Sequence, residues 1–527
     1  MNASPADPTS LSDLIRNALV EHAEHVLVSD AHEVWTGNEI QKKVKVLQQI
    51  LERHTRARDP ILLCFPNSST HAIALIATIL ADRVPVILSE QDFASAPEVW
   101  FNRSQPKLVF TNTLPVQVFL EAHLELPIYV LNTLCALETT VFSDALAAHS
   151  SASTIPEGTA LVLFTSGSTG VPKGICIPAS GIALTANTLI KRFSLHSDTI
   201  TPVFLPICHS MALNTQFIPT LLAGGRSHFI DAQLELSRIF RTVLEQKSTL
   251  VALIAETLIV CAREREKRNL PKANQVRHVQ LAGGKISEKH LELSRELFPN
   301  AIIHKGYGLT EGIRVTMIDS EDDDFHTDSV GFPLPFIEVS LRNDVKELIM
   351  NPMQVGEIWV KGPNTYLGLL GQEDSVNTDE PIATRDLGYW NLRQQLCIVG
   401  RDDGLFKFNG KRISASEIEK IPLELNTSVQ NAKCVLLDDP KTGRPKIVLF
   451  IEISSIITES FQTLLNERLK QLAHPPKEIV FLTKFPTTSN GKVSLMKLKN
   501  FLIASPDENA STATLQKNGI IEYEKLY

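Results

Sequence analysis

Apolar positions along the chain follow two rhythms. Leu11, Leu14, Ile15, Ala18 and Leu19 recur at helical spacing behind a Ser/Asp-rich start, which predicts an opening amphipathic helix. Short unbroken apolar runs come next. Ile61–Phe65, Val86–Leu88, Leu108–Phe110, Ile128–Leu131 and Leu161–Phe164 read as buried strands, and the longer run Ala72–Ala81 reads as a helix. Thr249–Ile254, Val276–Leu281 and Ala301–Ile303 continue the strand series. Strands buried on both faces, with helices between them, predict α/β layering over most of the chain.

The rhythm changes after about residue 335. Glu357–Val360 and Leu396–Val399 are short or alternating segments between turns, the pattern of antiparallel strands. Beyond Gly400 the elements become compact: Ile447–Ile453 as a strand, Phe461–Leu472 as a helix, Ile479–Leu482 as another strand. The expected organisation is a large N-terminal multi-layer α/β domain over 1–402, a small α+β C-terminal domain over 403–503, and a flexible tail over 504–527. That tail contains the polar string SPDENASTAT. The sequence has no internal repeat of solenoid length.

Composition agrees with a multi-domain globular chain. The 527 residues exceed one simple core, and 43% hydrophobic with 21% charged residues excludes a disordered or fibrous class. Asp plus Glu is 59 against 51 for Lys plus Arg, so a formal charge of −8 makes nucleic acid a poor general partner. The seven cysteines are Cys64, Cys135, Cys176, Cys208, Cys261, Cys397 and Cys434; their number is odd, their spacing wide, and no CxxC occurs. That pattern predicts reduced thiols in a cytoplasmic setting rather than disulfides or zinc. The start, MNASPADPTS, lacks the features of a signal peptide. The longest uncharged apolar stretch ends at Asp82, too short for an integral membrane segment.

Chemistry concentrates after the strand at Leu161–Phe164. There Thr165, Ser166, Gly167, Ser168, Thr169, Gly170, Val171, Pro172, Lys173 and Gly174 follow in one string. Glycines let backbone N–H groups turn toward an anion, hydroxyls add donors, and the lysine adds charge, a set suited to a polyphosphate. The spacing is not that of a P-loop NTPase. Taken alone, such a string also suits a Ser/Gly-rich surface turn.

TSGSTGVPKG resembles the signature loop of the adenylate-forming, AMP-binding superfamily: acyl-CoA synthetases, nonribosomal peptide synthetase adenylation domains and luciferases. Five further segments resemble that family's motifs in order. They are Tyr307–Glu311 (YGLTE), Gly356–Gly362 (GEIWVKG), Thr384–Gly388 (TRDLG), Gly400–Glu419 (GRDDGLFKFNGKRISASEIE) and Pro486–Lys492 (PTTSNGK). Together the resemblance covers roughly residues 30–500.

The resemblance implies a reaction in which a carboxylate joins the α-phosphate of ATP and pyrophosphate leaves. At about 4 Å two unit charges repel by roughly 4 kcal/mol at an effective dielectric near 20, so cations must gather the reactants. The implied catalytic set is Lys492, Thr310, Glu311 and Lys173, with Glu311 as the Mg²⁺ ligand. Nucleotide binding is implied for Thr165, Ser166, Gly167, Ser168, Thr169, Gly170, Lys173, Gly284, Tyr307, Gly308, Asp386 and Arg401: Tyr307 stacks on adenine, and Asp386 accepts from the ribose hydroxyls. Without the motif, Tyr307 and Glu311 read as a packed aromatic and a solvated acid, and Asp386 as an ordinary turn residue. Two departures stand out: Arg385 replaces the usual glycine, and Leu495 stands where an arginine often follows. Asp403 matches the hinge about which the small mobile domain would rotate, bringing first Lys492 to ATP and then the Gly410 face to a thiol. Asn409–Gly410 equally suits a hairpin turn.

Substrate selection is expected from Leu205–Leu222 and Ala282–Lys285. The string LPICHSMALN resembles acyl- and aryl-CoA ligases, and residues 201–225 contain no Asp or Glu to pair an amino-acid ammonium. The candidate substrate residues are His209, Leu213, Gly283, Gly308 and Ile313, with Met211 nearby; His209 alone also suits a satisfied core histidine. The resulting expectation is an AMP-forming acid–thiol ligase that uses ATP and Mg²⁺ and passes a small carboxylic acid to coenzyme A or to the phosphopantetheine of a separate acyl or peptidyl carrier protein. The competing readings are an amino-acid-activating enzyme, a luciferase-like oxygenase and a catalytically reduced nucleotide-binding protein.

Overall fold

The computed structural model describes residues 10–112, 128–131, 139–141, 155–166, 172–230, 238–282, 286, 288–323, 325, 329–343, 345–372, 379–401, 405–408, 411–425, 429–438, 445–453, 458–472, 474–483, 485–486, 493, 495, 498–499 and 520–522. The opening helix is Leu11–Glu21, capped by Ser10 and burying Leu11, Ile15, Ala18 and Leu19. A seven-stranded sheet has Pro60–Cys64 near its middle, parallel to Val84–Leu88 on one side and to Leu108–Thr111 on the other. All the residues of Pro60–Cys64 and Val84–Leu88 are buried, as expected of parallel strands covered on both faces. The helix Ser69–Leu80 packs beside them. Ser68 caps it, and it is buried around its whole circumference from Ser69 to Ile79.

One end of this sheet is an antiparallel hairpin, Thr159–Ser166 with Pro172–Pro178, in which Thr165 faces Lys173. The strand therefore runs further than the apolar run Leu161–Phe164 suggests, and Lys173 sits on its return arm. Pro172 is accommodated because that arm lies at the sheet's end.

A nine-stranded sheet carries the rest of the large domain. Leu250–Leu253, His278–Leu281 and Ile302–Tyr307 are parallel, and from Thr316–Asp319 onward every pairing is antiparallel. The change of rhythm near residue 335 corresponds to this antiparallel half, which includes Gly356–Lys361 and Ile382–Trp390. A four-stranded sheet, with Val26–Ser29 inside it, completes the N-terminal layers. No helix among the described residues is long and apolar enough to cross a membrane.

The C-terminal residues form a smaller mixed unit. Val429–Asp438, Pro445–Ile453 and Glu478–Leu482 pair in one sheet, with helices Ala415–Leu425 and Glu459–Lys470 packed on it. Glu419 ties helix to sheet by accepting from Lys433 Nζ at 2.8 Å and from the Cys434 N–H at 2.9 Å. Within the segment read as a tail, Ile520–Glu522 pairs in parallel with Ile479–Phe481; the polar string before it gives no sign of this.

Candidate active site

Two turns and one strand converge beside the hairpin. Ile302–Tyr307 ends at Gly308, and a 3-10 turn, Thr310–Gly312, follows. A Cβ on Gly308 would stand 2.0 Å from the Ile313 carbonyl oxygen, so only glycine permits this closure. The return arm of the hairpin packs against the Thr310–Gly312 turn. Lys173, exposed, and Thr310 and Glu311, both half-buried, thus come from neighbouring elements. The Glu311 side chain carries no hydrogen bond or ion pair among the described residues, which leaves its oxygens available to a hard cation.

Tyr307 and Asp386 meet directly. The Tyr307 hydroxyl donates to Asp386 Oδ2 at 2.6 Å across 79 residues of sequence. Asp386 is 7% exposed, and its N–H donates to Thr384 Oγ1 at 3.1 Å. The antiparallel register places Arg401 opposite Asp386, so two expected nucleotide residues share one rung. Arg385 is exposed and adopts φ +61, in the left-handed region. The chain therefore accepts a side chain there, at the conformational cost that glycine avoids.

The sequence reading overlooked the segment that braces this site. Asn364 is fully buried, and its amide donates to the Gly312 carbonyl at 2.6 Å and the Arg314 carbonyl at 2.8 Å. The Tyr366 N–H donates to the Glu311 carbonyl at 2.9 Å. Leu367, Gly368 and Leu370 then exchange backbone hydrogen bonds with Cys176 and Gly174 on the hairpin's outer arm. One stretch thus laces the Glu311 turn to the strand of Lys173 and covers an otherwise open sheet edge. Burial raises the Tyr366 phenol above its ordinary pKa, and the nearby Glu311 charge adds to this. The GPNTY string, with an invariant need to satisfy backbone groups in an irregular turn, was the available signal.

The expected acid side is less apolar than its sequence suggested. His209 is exposed at the head of Ser210–Ala212, and Met211 is half-buried. A π-helical turn, Leu213–Phe217, follows and is wholly buried. Leu213 and Ile313 belong to the same hydrophobic core cluster. Ile313 has φ +46 and ψ −104, a conformation that a β-branched residue rarely adopts. Next to it lies Arg314, 4% exposed, whose Nη2 donates to Gln280 Oε1 at 3.3 Å. Burial pushes the Arg314 guanidinium down to about 10.

Gly167, Ser168, Thr169, Gly170, Gly283, Gly284, Asp403, Gly410 and Lys492 lie outside the described residues, as do the side chains of Ser166 and Arg401.

Comparison with known proteins follows the same outline. A family model described as AMP-binding enzyme matches residues 15–370. A 4-coumarate–CoA ligase-like protein of Arabidopsis thaliana is 22% identical over 486 residues, covering 88% of this chain and 84% of its own. The amide bond synthetase McbA from Marinactinospora thermotolerans superposes with a TM-score of 0.66 at 18% identity, over 94% of this chain and 99% of that one. The o-succinylbenzoate CoA synthetase of Bacillus subtilis, solved with its acyl-adenylate intermediate, gives 0.64 at 20% identity, over 95% and 99%.

Proposed function

We propose, from the premise that the chain belongs to the AMP-binding enzymes and is an AMP-forming ligase, that it activates an acyl or aryl carboxylic acid and delivers it to a pantetheine thiol. In the first half-reaction a carboxylate oxygen bonds to the α-phosphorus of ATP and pyrophosphate leaves. In the second, a thiolate bonds to the acyl carbon and AMP leaves. The thiol belongs to coenzyme A or to a separate carrier protein. The many CoA ligases among the relatives favour coenzyme A.

The observation that carries this reading is the Tyr307–Asp386 hydrogen bond. It fixes an aromatic ring and a buried carboxylate at one place. The ring supplies a face for adenine, and a carboxylate is a suitable acceptor for a ribose diol. Thr310 and Lys173, on adjoining elements, are assigned to the phosphates. Mg²⁺, held by Glu311 and phosphate oxygens, would neutralise polyphosphate charge. Lys492 is assigned to the transition state, where its ammonium bridges the attacking carboxylate and the α-phosphate. Asp403 is the assigned hinge, and Gly410 lies on the assigned thiol path.

ATP–pyrophosphate exchange across a panel of carboxylic and amino acids tests the reading. A carboxylic acid should drive exchange, and Lys492→Ala should lower the rate by about 100- to 1000-fold. Exchange with no acid at all, or with α-amino acids only, would defeat it. The free buried cysteines among the described residues suit a reducing, cytoplasmic setting.

A further inference from the structure

Arg314 is a cation sealed into the protein without a counter-charge. The hydrogen bond to Gln280 is the only one its guanidinium makes among the described residues, and that partner is neutral. Gln280 is itself pinned: it is 1% exposed, and its Nε2 donates to the Thr215 carbonyl in the π-helical turn at 3.0 Å. Burying an unpaired guanidinium is expensive, and buried charges are ordinarily paired, so a missing partner points to an anion that arrives with a ligand.

Position says which anion. A Cβ on Gly306 would stand 2.3 Å from Arg314 Nη1, so the guanidinium occupies the face of the strand to which Gly306 points. Tyr307, the next residue, points to the opposite face and reaches Asp386 there. Arg314 is thus separated from the ribose-side pair and lies with the Leu213–Phe217 turn, the wall expected to select the acid. That turn also buries the Asn214 amide oxygen without a partner, so its lining is polar as well as apolar.

We infer that the acid activated by this protein carries a second anionic group, carboxylate or phosphoryl, at its far end, and that Arg314, oriented by Gln280, binds it. The inference rests on the acid-activation reading and narrows its substrate class. The second anion is a spectator: it forms and breaks no bond, while the first carboxylate takes the AMP.

The test compares straight-chain dicarboxylic acids and their ω-phosphono counterparts with the matching ω-amide and ω-methyl acids in ATP–pyrophosphate exchange. Wild type should favour members with a second anion by about 100-fold or more over their ω-amides, and the better of the two anion series identifies the group. Arg314→Met should erase the preference, and Arg314→Lys should restore part of it. Equal exchange with diacids and ω-amides, or a preference that survives Arg314→Met, would overturn the inference. A second measurement stands apart from catalysis. In the ligand-free protein Arg314→Met should raise Tm, because it removes an uncompensated charge, whereas a purely structural arginine would give a fall. Diacids should raise the wild-type Tm and not that of Arg314→Met. Exchange driven only by simple monocarboxylic acids would leave acid activation standing and sink the second anion. If no acid drives exchange, the parent reading fails, and the Tm comparison decides the anion site: no diacid-dependent rise in wild type would overturn it.

Discussion

Single side chains set what we propose as the nucleotide end of the site. Tyr307 donates to Asp386 over 2.6 Å, and a hydrogen bond to a charged acceptor is worth about 1.5–3 kcal/mol. Tyr307→Phe keeps the ring and removes the donor. It should raise the KM for ATP by about tenfold or more in exchange assays while changing kcat less, because Asp386 is no longer held for the ribose. A KM unchanged by this variant would show the contact to be incidental. Arg385 makes a different point. Its φ of +61 costs an L-residue about 1–2 kcal/mol, and it stands where the family pattern has glycine. Arg385→Gly should therefore be more stable than Arg385→Ala by about 1 kcal/mol in urea unfolding, with Arg385→Val the least stable of the three. Equal stabilities would mean that local relaxation absorbs the strain. The departure from glycine was visible in the sequence, but the dihedral angle that gives it meaning was not.

Among elements, the brace from Asn364 to Leu370 decides whether the site's parts keep their places. Asn364 satisfies two buried carbonyls of the turn, and Leu367 to Leu370 bond to the hairpin arm that carries Lys173. Asn364→Ala should cost about 2 kcal/mol or more, since buried acceptors lose their donors. It should also weaken ATP binding, because the Glu311 turn loosens. Calorimetry of nucleotide binding on the folded variant separates the two effects, and a destabilised variant with native ATP affinity would confine Asn364 to the fold. Strands such as Pro60–Cys64 were legible because burial on both faces leaves an unbroken apolar run. The membership of the AMP-binding enzymes was legible because several segments, among them those of Tyr307, Glu311 and Asp386, repeat a known pattern. The brace was not, because its partners are chosen by tertiary pairing between segments nearly 200 residues apart in the chain, as in the bridge of Ile175 to Leu369. Nor was the π-helical turn, which follows no hydrophobic period. Arg314 escaped for a simpler reason: one charge beside Ile313 reads as surface until its burial is known.

At the scale of the whole molecule, buried titratable groups couple folding to pH. Burial pushes the Cys176 and Cys208 thiols up to about 12, so in the native protein both should react with thiol reagents far more slowly than after unfolding. The histidines have the larger consequence. Burial lowers His71 to about 3, His228 to about 4 and His304 to about 2, and it lowers His278, whose Nδ1 lies 3.1 Å from His304 Nε2. Each is held neutral in the fold, whereas the unfolded chain takes up a proton below its ordinary value of 6.5. Their contribution is therefore complete above pH 6.5 and is lost as pH falls toward the folded values. Between those limits each group costs about 1.4 kcal/mol per pH unit. The carboxylates of Asp30 and Glu39, whose pKa values are lowered, add a loss of the same sign, but only below about pH 4. Glu264, whose pKa burial raises, works the other way and is outnumbered. The urea midpoint should thus be flat near neutrality and fall steeply from pH 6.5 to 5. His71 allows the cause to be isolated. It is buried against Phe65, and its Nε2 lacks a partner, so His71→Phe removes a proton site at little packing cost. That variant should lose about 1.4 kcal/mol per pH unit of the slope between pH 6 and 5, measured by urea unfolding at fixed ionic strength. A slope identical to wild type would shift the acid sensitivity away from His71 and onto the remaining histidines.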